Sequence, residues 1–385
     1  MTATAVIEVF VHWFAFCPNP ACAYHHEAPA SPWAYAIGWY ATKAFGKVRR
    51  FRCTRCGKSF STQTFSTHYY LKRIVSYRDV LYRLAGGESL RGMSRALGCS
   101  LSLLTTRIDR LARQGIALHA RMLRARRSKE DICIDGFVSF DCSQYFPSEI
   151  PIAVGRTSGF VLDVSHCTRW RSGSMRQDQK AKAKALYSKI RLERGGIGRS
   201  FREVLATSLA LQPPQPQRPF VLITDEKPDY ARVVRRLAAY WGEGEGRLVH
   251  LTISSYLPRT IHNPLFSSNY TDRELRKDLA NHHRESVCFN RNVANGMLRL
   301  WAYLMWHNYL KPYRIRWPKG RRPATHAEAS GIDATALENV YRSFFEERAF
   351  LTRSPLSPTM ARSWKKEWRT PGQAKAEYLP KLALG

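Results

Sequence analysis

Two pairs of cysteines limit what this chain can fold into more than any other feature. "FCPNPACAYHH" carries Cys17 and Cys22, and "KVRRFRCTRCGKSFSTQTFS" carries Cys53 and Cys56. Each pair makes a tight knuckle that points two thiolates at one ion. Two knuckles close a tetrahedral four-sulfur site, which suits zinc. Gly57 follows the second pair and permits the turn that aims backbone amides at the sulfurs. The competing reading is a redox Cys-x-x-Cys beside two unrelated cysteines. That motif belongs on the strand-to-helix turn of a βαβ unit, and no such pattern surrounds it. Four thiolates leave no open coordination position, so zinc here is a staple for the fold and not a catalyst. His25 and His26 are spare ligands or, on the blander reading, surface residues.

Size and charge set the frame around this clip. A chain of 385 residues exceeds one ordinary core, so several domains are expected. The formal net charge of +31 attracts polyanions, and nucleic acid is the commonest. Arg49, Arg50, Arg52 and Lys58 form a basic face on the clip, placed to touch phosphate. Nine cysteines, an odd number, point to a reducing, cytoplasmic compartment. The apolar opening "MTATAVIEVFVHWFAF" is too short to span a bilayer and reads as a strand-like lead. No other segment looks transmembrane, so no membrane partner is expected.

Behind the clip, "ESLRGMSRALGCSLSLLTTRIDRLARQG" places Leu90, Met93 and Leu97 at helical spacing. Gly98 breaks the pattern, and Leu101, Leu104, Ile108 and Leu111 resume it. Ser89 and Ser100 are N-cap residues. Two short helices joined by a glycine turn give a helix-turn-helix layout, with an ordinary helical hairpin as the alternative. On the polar side of the second helix the spacing sets Thr105, Thr106, Arg107 and Arg110 for a DNA groove. "ARMLRARRSK" then reads as a basic linker.

From residue 131 the pattern changes to strands. "DICIDGFVSF" and the hairpin "IPIAVGRTSGFVLDV" give three, a basic helical stretch follows, and "FVLITD" and "RLVHLTIS" alternate with helices. This β-β-β-α-β-α-β-α order is that of an RNase H-like domain, whose first and fourth strands lie side by side. Asp135 on the first strand and Asp225 at the end of the fourth would then meet, with Glu285 from the last helix as the third carboxylate. Three such groups repel unless cations sit among them, and two Mg²⁺ ions would clamp a scissile phosphate there. Each has a plainer reading as a turn, bulge or surface residue. Asp141, Asp163 and Glu274 are rivals, and Asp141 shares the face of Asp135 if the strand is regular. Arg284 and Arg291, seven residues apart, would share a helical face beside the metals.

The segments "DGFVSFDCSQYFPSEIPIAVG", "NPLFSSN" and "HHRESVCFNRNVANGMLRLWAYLMWHNYL" resemble the catalytic core of DDE-type transposases of bacterial insertion sequences. "CPNPAC" with "RFRCTRCGKSFS" resembles their N-terminal zinc ribbon. The likeness runs from the first cysteine pair to the "RSFFEERAF" region. It implies that Asp135, Asp225 and Glu285 bind Mg²⁺, with Mn²⁺ as a substitute. The implied partners are the double-stranded DNA of the element's ends and target, bound by a homo-oligomer at the bacterial nucleoid. The expected organisation is multidomain α+β: a zinc ribbon over 1–74, a helix-turn-helix and basic linker over 75–128, an RNase H-like catalytic domain over 129–310, and a basic C-terminal extension over 311–385. The alternative is a domesticated DNA-binding regulator with an inert RNase H-like body.

Overall fold

The computed structural model describes residues 15–27, 29, 32–215, 217–238, 247–283, 288–314, 316, 319–320 and 322–385, with the side chains at 339 and 342 excepted. The opening strand-like lead therefore lies largely outside the described residues.

A small antiparallel sheet comes first, in the order β1 (Ala34–Thr42), β2 (Gly46–Cys53), β3 (Ser59–Ser61), preceded by the single helical turn α1 (Ala23–His26). It encloses its own core of Trp33, Phe51 and Phe60 with the buried cysteines. Trp33 stacks on Phe60 at 5.4 Å. A bulge between Ala36 and Gly38 interrupts the β1–β2 register, and Gly38 carries the positive φ of 115° that this bulge needs.

Three helices follow: α2 (Tyr77–Ala85), α3 (Leu90–Ala96) and α4 (Leu101–Ala125). Ser76, Ser89 and Ser100 each accept a hydrogen bond from a backbone amide of the first turn, so the expected caps are real. Gly98, at φ 55°, makes the turn between α3 and α4. The helix α4 is not short. It runs 25 residues and absorbs most of the segment read as a basic linker.

The body is a six-stranded mixed sheet with helices packed on it. Its main path is β6 (Val161–Val164), β5 (Pro147–Gly155), β4 (Ile132–Phe140), β8 (Phe220–Asp225), β9 (Leu248–Ile253), and β7 (Cys167–Thr168) pairs with β5. The β4–β5 and β5–β6 pairs are antiparallel, while β4–β8 and β8–β9 are parallel. Between and after the strands come α5 (Gln177–Tyr187), α6 (Gly196–Leu211), α7 (Pro228–Ala238), α8 (Phe266–Asp278), α9 (Val293–Tyr309), α10 (His326–Ala329), α11 (Ala334–Ser343) and α12 (Pro358–Trp364). The apolar helix α9 packs along α4. Gly115 permits the approach, since a Cβ there would lie 3.0 Å from the Met305 Cβ.

The apolar core continues across residue 128. One continuous apolar cluster runs from Val75 through α4, the sheet and α9 to Trp368. The final segment is integral as well. Trp301 and Trp368 both donate to the Ser363 hydroxyl, at 3.0 and 2.9 Å, and Trp364 donates to the Ala383 carbonyl. This segment also grips the small sheet's module. Thr67 and Arg348 donate through their amides to Glu346 and Phe65 carbonyls, and Arg353 donates to the His25 carbonyl.

Candidate metal centre and carboxylate pair

The sequence folds the two knuckles onto each other through the β2–β3 turn. The sulfurs of Cys17, Cys22, Cys53 and Cys56 all lie within 4.8 Å of one another. Cys17 and Cys56 are 3.7 Å apart, and Cys22 and Cys53 3.9 Å. Four sulfurs about 2.3 Å from a common zinc would sit about 3.8 Å apart in a tetrahedron, so the spacing fits a structural zinc. Burial pushes the Cys17 and Cys22 thiols up. Burial also acts on Cys56, but the Lys58 amide, the Asn19 side chain and the neighbouring thiols outweigh it and bring Cys56 down to about 7. His25 and His26 do not join the site. His25 is fully buried, against the surface reading, and bonds the Cys17 carbonyl and the Thr352 hydroxyl, at 2.7 Å each. His26 is exposed and bonds the Pro20 carbonyl.

The basic residues of the clip face outward in part. Arg50, Arg52 and Lys58 are exposed, and the half-buried Arg49 lies over the Trp39 ring at 5.2 Å. On α4 the outcome is mixed. Thr106 is exposed and Thr105 half-buried, each hydroxyl donating one turn back to Leu101 or Ser102. Arg107 and Arg110 turn inward instead of lying on a polar face. Arg107 is 3% exposed and donates to the Arg73 carbonyl, and Arg110 donates to the Thr67 carbonyl. A helix covered along most of its length has little polar face to offer, and these guanidiniums serve buried carbonyls.

The two strand carboxylates come together. The β4–β8 register pairs Ile132 with Leu222 and Cys133 with Ile223. Carried forward along both parallel strands, it sets Asp135 against Asp225 on one face. Burial and the charge of Asp225 push the Asp135 carboxyl above the usual range, while the Gly136 amide, donating to Oδ1 at 2.7 Å, and Lys227 pull it down. Asp225 Oδ1 accepts from the Lys227 amide at 3.2 Å, so it also shapes the turn into α7.

The rivals are occupied elsewhere. Asp141 is fully buried and lies just past the end of β4. It accepts from Thr168 at 2.7 Å and bonds His166 at 2.9 Å. Asp163 is fully buried against the Thr359 hydroxyl, and burial raises its carboxyl to about 6. Glu274 is held by Lys277 and Lys311. Glu285 and Arg284 lie outside the described residues. Arg291 is exposed but precedes α9, so no helix sets it on a face shared with Arg284.

One participant escaped the sequence reading. Glu149 on β5 is 1% exposed, ion-paired with Lys227 and hydrogen-bonded by the Tyr230 hydroxyl at 3.1 Å. It packs against Gly136, where a Cβ would lie 2.7 Å from both Glu149 Oε1 and Tyr230 Oη. It therefore supports the strand next to Asp135 from the opposite face, and its charge also raises Asp135. The signal was a lone carboxylate inside the otherwise uncharged strand "PSEIPIAVG".

No family model matches the chain, and no curated protein matches it. Among solved structures, it is similar to a chain in the cryoEM structure of a simian T-cell lymphotropic virus intasome in complex with PP2A regulatory subunit B56 gamma. That match has 14% identity and a TM-score of 0.21, over 52% of this chain and 64% of that one. Among the described residues, no helix is long and apolar enough to cross a membrane.

Proposed function

We propose that this protein is a DDE-type transposase, which binds the ends of a mobile DNA element and cuts and rejoins strands at Asp135, Asp225 and Glu285. The observation that carries the reading is the register of β4 and β8, which puts Asp135 and Asp225 side by side on neighbouring parallel strands. An RNase H-like domain has its first and fourth strands as neighbours, and β4 and β8 fit those two places if the two-residue β7 is counted as an addition at the edge of β5.

The chemistry of the pair also fits. Two adjacent carboxylates, of which Asp135 is raised by burial and by the charge of Asp225, offer hard oxygen donors, the donor set that Mg²⁺ or Mn²⁺ takes. When bound, the metals would activate water or a 3′-hydroxyl and stabilise the leaving oxygen. The approach to Glu285 supports it as the third ligand. His282 bonds the Ser139 hydroxyl at 2.9 Å and meets the Phe137 ring edge-on at 5.0 Å. Phe137 and Ser139 alternate along β4 on the Asp135 face, so His282, three residues before Glu285 in sequence, lies against that face. Lys227, anchored by Glu149, holds the turn after Asp225 and supplies a fixed positive charge near the pair.

In this reading the zinc ribbon and the α3–α4 pair grip the element's ends as a helix-turn-helix module. Arg50, Arg52, Lys58, Thr106 and Arg291 meet phosphate, and two ends are paired by a homo-oligomer on DNA, at the nucleoid of a bacterial cytoplasm. The test uses duplexes made from the inverted repeats that flank the gene. Asp225→Ala should abolish Mg²⁺-dependent strand cleavage and leave end binding within about threefold. Cleavage that survives this change would sink the triad. End binding with no cleavage by the unaltered protein would leave a DNA-binding regulator.

A further inference from the structure

The groove beside the zinc ribbon has a chemistry that duplex-end binding does not use. The bulge at Gly38 moves the β1 register by one residue, so Tyr35 pairs with Arg52 and Tyr40 with Val48. Arg52 and Val48 are four residues apart on β2 and share a face, so Tyr35 and Tyr40 share it too. Arg50 stands between them, opposite a glycine that has nothing to cover it. Ser59 and Ser61 pair with Arg52 and Arg50 and continue this face on β3.

The loop after β3 rises over this face and closes a groove of about 900 Å³. Tyr40, Lys43, Arg50, Gln63, Tyr70 and Lys72 line it, and no carboxylate does among the described residues. The Tyr40 hydroxyl is held by Ser61 at 3.3 Å, which fixes its ring. Tyr70 is 75% exposed and sits at φ 60°, a left-handed conformation in which a tyrosine is strained. An exposed aromatic ring that leans on Tyr69 at 4.4 Å, in a groove that a second ring and three cations also line, is arranged to receive a flat, anionic chain.

We infer that this groove binds unpaired DNA: bases stack on Tyr70 and Tyr40, and Lys43, Arg50 and Lys72 meet the phosphates. The inference rests on the DNA-binding reading above and names a second ligand state, a single strand frayed or nicked at an element end. Duplex DNA keeps its bases stacked inside and cannot offer them to these rings.

The test is fluorescence anisotropy of the full-length, zinc-loaded protein with labelled oligo-dT of about 15 nucleotides, the size of site such grooves hold. A duplex of equal length is measured beside it. Tyr70→Ala should weaken oligo-dT binding about tenfold and duplex binding less than threefold, while Tyr70→Phe keeps both. Lys72→Ala should reduce the slope of log affinity against log salt by about 0.7 for the single strand. Equal losses for both DNAs, or an unaltered affinity in Tyr70→Ala, would overturn the inference. Zinc content per chain checks each variant's fold. Quenching of 2-aminopurine in an oligonucleotide bound to the unaltered protein reads the stacking without any substitution, and no quenching counts against it. Asp225-dependent cleavage is scored separately, so this site can fail while the catalytic reading stands.

Discussion

The zinc ribbon and the α/β body are held together by opposite means. The ribbon's core is a handful of side chains, Trp33, Phe51 and Phe60 among them, with four thiols taking the place of further apolar volume. So small a sheet buries little surface of its own, and a metal on the four thiols would supply the rest. The body buries one cluster from Val75 to Trp368 and needs no ion for it. The two also treat charge differently. The ribbon turns most of its arginines outward, whereas the body takes Asp141, Asp163 and Glu149 inside and gives each a named partner, with the Asp141 Oδ1 left without one among the described residues. Stability and function are thereby separated: the outward charges of the ribbon contribute little to its fold, and the inward charges of the body contribute much to its geometry.

The sharpest way to break this comparison is to remove the metal. Chelation, or Cys53→Ser, should cost the ribbon on the order of 10 kcal/mol and unfold it alone. Trypsin should then cut among Arg49, Arg50 and Arg52 while the body keeps its helical circular dichroism. A ribbon that stays protease-resistant without metal would contradict the contrast. Trp364→Ala attacks the other side. This ring is 1% exposed and its loss should cost about 3–5 kcal/mol in urea unfolding, with one zinc per chain retained.

A pH series sharpens the point about buried charge. The Asp163 carboxyl is raised to about 6 in the fold. A raised acid stabilises most below its unfolded value near 4, and that contribution is lost as pH climbs from about 4 to about 6. The loss should amount to about 3 kcal/mol, and Asp163→Asn should remove it and flatten the profile over that window. The smallest effect is expected at the seam between ribbon and sheet. Ser100→Ala deletes the cap of α4 and should lower stability by about 1 kcal/mol, with no change in zinc content.

Local chemistry was readable from the sequence, and long-range placement was not. The cysteine knuckles, the caps at Ser89 and Ser100, and the strands bearing Asp135 and Asp225 rest on spacing within a few residues. Those signals held. Arg107 and Arg110 were misplaced because a polar residue on a helix looks solvated until the packing partner is known. Here the partners are the Arg73 and Thr67 carbonyls, far away in sequence. The segment read as a basic linker is helical to Ala125 for the same reason, since a run of arginines reads as a linker whether or not it is helical. Glu149 shows the reverse case: its signal was present, but its role emerges only when β5 is laid against β4 in register.

The grip of the C-terminal segment on the ribbon fixes an order of events during synthesis. Thr67 donates to the Phe345 carbonyl across 278 residues of chain. At roughly 5–20 residues per second, the ribbon leaves the ribosome about 14 to 56 seconds before its clasp exists. Through that interval a zinc on the four cysteines would be what keeps it from fraying or from pairing with a neighbouring nascent chain. A cell short of zinc should therefore lose this protein during translation, to proteolysis of unclasped chains, well before any folded copy gives up its ion.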